Sequence, residues 1–115
     1  MQYMVLIYWD QEKDEAMTVE QREAQFNAYR AFTSEVKGRS LMLHAEALEP
    51  TTMATTVRVQ DGKLLTTAGP FAETKEQLGG YYLLDCANLD EAIEWAAKIP
   101  HAKNGSIEIR PVMKY

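Results

Sequence analysis

His44 and Glu46 carry the clearest chemical option in this sequence. They lie in Leu41-Met42-Leu43-His44-Ala45-Glu46, where strand-like alternation puts both side chains on one face. A histidine beside a carboxylate has the parts of a general base with an orienting partner. The same spacing also serves an ordinary polar pair near a strand end. Arg58 could hold a ligand carboxylate through its two-pronged guanidinium, or simply stand exposed on a strand. Glu73, Lys75 and Glu76 follow Gly69-Pro70-Phe71 and could touch a ligand if their loop overhangs a cleft. A solvated charged loop has the same composition.

Other residue types offer less. Glu108 and Arg110 share one face of a strand and read best as a structural or interface ion pair. Tyr8, Trp9, Tyr81 and Tyr82 could line a pocket, but aromatic runs of this kind more often fill a core or an interface. Gly79-Gly80 permits close backbone approach without resembling a phosphate-binding loop. The lone Cys86 closes an apolar run with no basic neighbour and reads as packing. His101 falls in a turn region and is expected to be exposed. Two distant histidines and one cysteine give no metal-ligand spacing, so neither a metal nor a cofactor is expected. No serine–histidine–acid arrangement is visible.

These residues need elements to position them. Tyr3 to Trp9 is short, aromatic and β-branched, and predicts a buried strand. Asp10 to Ala16 reads as a polar loop. Thr18 with Gln21 has capping-box spacing and opens a helix. Val19, Phe26, Tyr29, Phe32 and Val36 fall on its inner arc, and Gly38 suits its left-handed terminus. Leu41 to Ala45 is a second strand. Met53 to Gln60 and Lys63 to Thr67 flank Asp61-Gly62, a hairpin signal. Glu73 to Leu78 reads as a loop or helical turn, and Tyr81 to Leu84 as another buried strand. Asn88 caps a second helix whose inner face is Leu89, Ala92, Ile93 and Ala96, with Trp95 and Ile99 on a flank. Ser106 to Arg110 alternates, and Pro111 suits an edge. This order predicts an α+β fold: a ferredoxin-like βαββαβ antiparallel sheet with an inserted β-hairpin and two helices on one face.

At 115 residues, with 46% apolar and 25% charged side chains, the chain has room for one domain over residues 1–115. A net charge of −5 with no basic run excludes nucleic acid and anionic membranes as expected partners. The Tyr3–Trp9 run is too short to span a bilayer. The start lacks a signal-peptide pattern, and with one cysteine the expected location is cytoplasmic. Both faces of the first strand are apolar: Met4, Leu6 and Tyr8 on one, Tyr3, Val5, Ile7 and Trp9 on the other. Tyr81 and Leu83 likewise oppose Tyr82 and Leu84. Two helices cover only one face, so a homodimer is expected to cover the second.

The run from Thr66 to Tyr82, with Gly69-Pro70-Phe71 and Gly79-Gly80-Tyr81-Tyr82, resembles the signature of the DGPF subgroup of YCII-related proteins. The likeness continues through Asn88–Ala92, Trp95-Ala96-Ala97 and Ile107–Val112. Upstream, Glu46, Leu48 and Pro50 match that subgroup's acidic-then-proline stretch, and Thr55–Arg58 its hairpin strand. The resemblance implies bacterial, soluble proteins whose ferredoxin-like domains pair into a dimeric α/β barrel. It implies no single reaction. Ala68 stands where the motif has its aspartate, so a mechanism needing that carboxylate is not expected here. Two functions follow as expectations. In one, the protein binds, with or without transforming it, a small organic molecule in a cleft between sheet and dimer partner. His44 and Glu46 would then be its chemical pair, and Arg58, Phe71, Glu73 and Lys75 its contacts. In the other, it is a non-catalytic sensor or interaction module serving an extracytoplasmic-function sigma-factor system.

Overall fold

A computed structural model describes all of residues 1–115. Strands β1 (Gln2–Trp9), β2 (Met42–Ala47), β5 (Gln77–Asp85) and β6 (Gly105–Pro111) form one antiparallel sheet in the order β2-β5-β1-β6. Strands β3 (Thr55–Gln60) and β4 (Lys63–Ala68) form a separate two-stranded hairpin. Helices α1 (Gln11–Glu15), α2 (Val19–Gly38) and α3 (Leu89–Ala96) complete the chain. The order is that of a ferredoxin-like α+β fold with an inserted hairpin. The two richest apolar runs, β1 and β5, take the two central positions. Pro111 ends the edge strand β6, where its missing N–H breaks no ladder. No helix is long and apolar enough to cross a membrane.

Strand alternation divides the sheet into two faces. Tyr3, Val5, Ile7, Tyr82 and Leu84 are buried beneath the helices, and Phe32, Val36, Ala92, Trp95, Ala96 and Ile99 close the core over them. The cross-strand pairs Val5–Tyr82 and Tyr3–Leu84 keep these residues in register. Each large aliphatic side chain buried here contributes about 1.5–3 kcal/mol. Met4, Leu6, Tyr8, Tyr81 and Leu83 point the other way and are only half-buried. This second face is the open one.

Several local expectations need correction. Asp10–Ala16 is not a loop: the Asp10 carboxylate accepts from the Glu12 and Lys13 amides at 3.0 and 3.4 Å and starts α1. Thr18 and Gln21 do form the capping box that opens α2. Gly38, however, stays helical, and Ser40 takes the left-handed conformation at φ 58°. Leu41 N–H bonds the Val36 carbonyl and Ser40 N–H that of Lys37, both at 3.0 Å. This closure lets Leu41 pack on the core, and that contact, not the glycine, fixes where the helix stops. The second strand runs to Ala47 instead of ending at Ala45.

The inner faces of both long helices also differ from expectation. Only Phe32 and Val36 of α2 are buried; Val19 and Phe26 are exposed because the first half of α2 overhangs the sheet. In α3, Leu89 and Ile93 are exposed, and Trp95 turns inward, edge-on to Phe32. Lys98 sits 4.4 Å over the outer face of its ring.

Candidate functional site

Where α2 overhangs the sheet it leaves a cleft of about 500 Å³. One wall is a polar ridge: Gln25, Tyr29, Thr33 and Lys37 recur every fourth residue and so align along one side of α2. The other wall is the helix-side face of the sheet, with Ile7, Trp9 and Ala45. The helix thus uses adjacent stripes differently. Phe32 and Val36 pack the core, and the ridge faces the space.

His101 closes one end. It is 3% exposed, in a one-turn 3-10 helix at Pro100–Ala102 that follows buried Ile99. Its ring stacks on Trp9 with centroids 4.2 Å apart and planes 12° from parallel. Trp9 is positioned by a β-bulge. Ile7 pairs with Gly80 and Tyr8 with Leu78, so Gly79 is the extra residue. A Cβ on Gly79 would run into the Trp9 ring. The indole is therefore a slab between the bulged backbone and the imidazole.

The imidazole has partners on both nitrogens. Tyr29 Oη lies 2.5 Å from Nδ1 and Gln25 Nε2 lies 3.1 Å from Nε2. With the amide nitrogen donating, His101 Nε2 accepts and its proton sits on Nδ1, facing the Tyr29 oxygen. The phenolic proton of Tyr29 is then free for another acceptor. Burial lowers the His101 pKa, against a weaker pull from Asp14, and holds the ring neutral. Burial likewise raises Tyr29 far above the usual phenol range, so it remains a donor. Further along, the Thr33 and Tyr82 hydroxyls are 2.6 Å apart. Arg22 leans on Asp14, with an ion pair at 3.7 Å and a bond to its carbonyl at 2.9 Å, whereas Lys37 makes no ion pair. A second, more polar recess of about 610 Å³ shares Trp9, Gln25 and His101 with the first, so these three form a partition.

Of the site residues expected from sequence, only Glu46 borders this cleft; the others fall elsewhere. His44 and Glu46 do share the open face, with Nε2 3.9 Å from the Glu46 carboxylate. Tyr81 adds a third member, its hydroxyl 2.6 Å from His44 Nδ1. His44 and Glu46 are exposed and Tyr81 is half-buried, with Glu46 and Tyr81 reaching the rim of the cleft. Arg58 lies on the hairpin, and Phe71, Glu73 and Lys75 are exposed in the following loop; none of the four lines the cleft. Glu76 accepts from Ser106 at 2.6 Å. Glu108 does not pair with Arg110: it accepts the Tyr8 phenol at 3.0 Å, and burial together with that carboxylate raises the Tyr8 pKa. Cys86 is buried, its thiol pKa pushed up by burial, as packing requires.

Sequence reasoning expected His101 to be exposed. Its partners are 72 and 76 residues away, and no short-range spacing links them. The signals available were Gln25 and Tyr29 at helical spacing within an otherwise apolar arc, and Pro100-His101 directly after an apolar helix end. A cleft was expected against the helix-free face; the one that a single chain forms by itself lies on the opposite side of the sheet. No three His, Cys, Asp or Glu side chains converge as a metal site.

The family comparison agrees with this architecture. The model of the YCII-related domain matches residues 1–115. An uncharacterized protein of Rhizobium meliloti (strain 1021) is 39% identical over 117 residues, covering 100% of this chain and 94% of its own length. With its whole length matched, and with a relative of that identity spanning both chains, this chain belongs to the YCII-related family.

Proposed function

We propose that this protein binds a small ring-bearing organic acid in the cleft between α2 and the sheet. The observation that carries the reading is the Gln25–His101–Tyr29 network, buried on the wall of an otherwise largely apolar cleft. Its volume of about 500 Å³ falls within the roughly 300–1,000 Å³ of sites for drug-sized ligands. Apolar walls take the ring, and the free Tyr29 proton takes a carbonyl or carboxylate oxygen. Lys37, uncommitted at the far end of the ridge, favours a negative charge on the ligand. Neutral His101 beside a phenol donor also gives the site the parts of a proton relay. A ligand-reading module needs only the binding half; following the bound compound over time separates binding from turnover.

The test is thermal-shift titration with benzoate, cyclohexanecarboxylate and the matched neutral benzamide. The acids should raise the melting temperature more than the amide. The double variant Tyr29→Phe/Lys37→Met should lose that difference. Absence of stabilisation by either acid, or an undiminished response in the variant, would remove the reading.

A second reading rests on the Tyr81–His44–Glu46 chain on the open face. We infer that a second copy of the protein covers this face, because Met4, Leu6 and Leu83 lie beside the chain with no cover of their own. Enclosed in that way, His44 would stand between a phenol and a carboxylate in a dry interface. His44→Ala then leaves the fold within about 0.5 kcal/mol of wild type and abolishes any activity sited there. Melting and activity measured together decide it: lost stability with unchanged activity retires His44.

A further inference from the structure

We propose that the β3–β4 hairpin is a docking arm that lays its Val57–Val59–Leu64 face on a second copy of this chain. The arm rests on the sheet-face dimer inferred above and is independent of the cleft. Antiparallel pairing sets Val57 opposite Thr66 and Val59 opposite Leu64, which puts Val57, Val59 and Leu64 on one face, while Leu65, opposite Arg58, lies on the other. Arg58, Gln60 and Lys63 take the other. Val57, Val59 and Leu64 are 59, 69 and 69% exposed. No residue of 55–68 enters the core. The root of the arm is closed on itself: Gly69 N–H bonds the Ala54 carbonyl at 2.7 Å, and the Thr56 hydroxyl bonds the Gly69 carbonyl at 2.8 Å. A two-stranded hairpin is marginal in water by itself, and both edges of this one are open. It needs a surface to lie on.

Four observations identify that surface as another copy. First, the chain is spread out. Its radius of gyration is 16.1 Å, whereas a compact domain of this length has about 13 Å. Second, it is flat, 48 × 45 × 18 Å. A thickness of 18 Å leaves space for about one helix layer and one sheet layer, so the arm extends the slab sideways and does not fold back over it. Third, the arm is continuous with the open face. It leaves from the end of β2 and returns to the start of β5, the strands that carry His44, Glu46 and Tyr81. A partner seated on the open sheet is therefore beside the arm's root. Fourth, area and charge fit. A stable interface uses roughly 20–30 residues per partner, more than the outward side chains of four short strands supply. The arm provides the remainder, apolar in the middle. It also carries Arg58 and Lys63 against a single acid, Asp61, on a chain of net charge −5, so a second copy attracts it.

The test uses the full-length chain and sedimentation equilibrium. Val59→Thr with Leu64→Thr keeps β-branched or strand-tolerant side chains on the arm while removing its apolar face. Gln60→Thr, on the opposite face, is the control. The double variant should weaken self-association at least tenfold, and the control should leave it unchanged. A benzophenone label on Val59→Cys should photocrosslink two copies; native Cys86 is buried and stays unlabelled. Amide exchange at Val57 and Val59 should slow as protein concentration rises through the dissociation constant. A wild type that stays monomeric at 100 µM would overturn the arm and the sheet-face dimer together. A dimer whose affinity is unmoved by the double variant would overturn the arm alone. So would crosslinking to some other protein from a lysate with none between copies.

Discussion

His101 is held neutral by burial, and this has a consequence for stability. Its pKa in the fold lies below the ordinary 6.5, so on acidification the unfolded chain takes up this proton before the folded one does. The contribution is complete above about pH 6.5 and declines as pH falls below it. His101→Phe keeps a ring stacked on Trp9 but removes the titration. Between about pH 7.5 and about pH 5.5, the wild type should lose more melting temperature than this variant. Equal losses would mean the imidazole takes up its proton at an unshifted pKa. The bulge is a second sensitive point. Gly79→Ala drives a methyl group into the Trp9 ring and displaces the slab on which His101 lies. We expect a loss of about 1–3 kcal/mol together with weaker ligand binding, read by denaturant melts and by thermal shift with benzoate. Unchanged stability would mean that Trp9 has space to move. Of this, the sequence showed only that Gly79-Gly80 allows a close backbone approach; the partners of His101 were not read from it. A histidine after a proline looks like a turn until a helix from the other end of the chain is laid against it.

The elements were readable to different depths. Thr18–Gln21, Asn88–Glu91 and Asp61-Gly62 are local devices, complete within four residues, and each forms as its spacing dictates. Asn88→Ala should therefore cost about 1 kcal/mol by equilibrium unfolding, with little effect on ligand binding. A much larger loss would implicate the core contacts of α3 and not its cap. Helix faces were less legible. The heptad-like stripe of α2 marks apolar positions but not which half of the helix lies over the sheet, and the overhang decides that Phe26 stays exposed while Phe32 is buried. In α3 the bulk of Trp95 outweighed the pattern that favoured Leu89 and Ile93. The polar ridge that lines the cleft was visible only as a flank of the predicted core arc.

At the scale of the complete chain, the order of strands followed from the order of elements, and the dominance of β1 and β5 from their composition. The alternation argument for two apolar faces also located the open face. Self-association is what it predicts: light scattering at micromolar concentration should give about twice the chain mass of 13.1 kDa. A monomer at that concentration would contradict it. Only 15 of 115 residues are buried in the single chain, which is why tertiary contacts inside one copy explain so little of its apolar surface.

The strand order also governs when the fold can assemble. Strand β1 is synthesised before the other strands, yet its two neighbours are β5 and β6. Ribosomes add about 5–20 residues per second, so Tyr3–Trp9 waits roughly 5–20 s at those rates before the second neighbour exists. Over that interval the most apolar strand of the protein has an unpaired edge. Its survival in the cell depends on what shields a nascent chain, and the long-range pairing that follows makes folding slow for a domain this small.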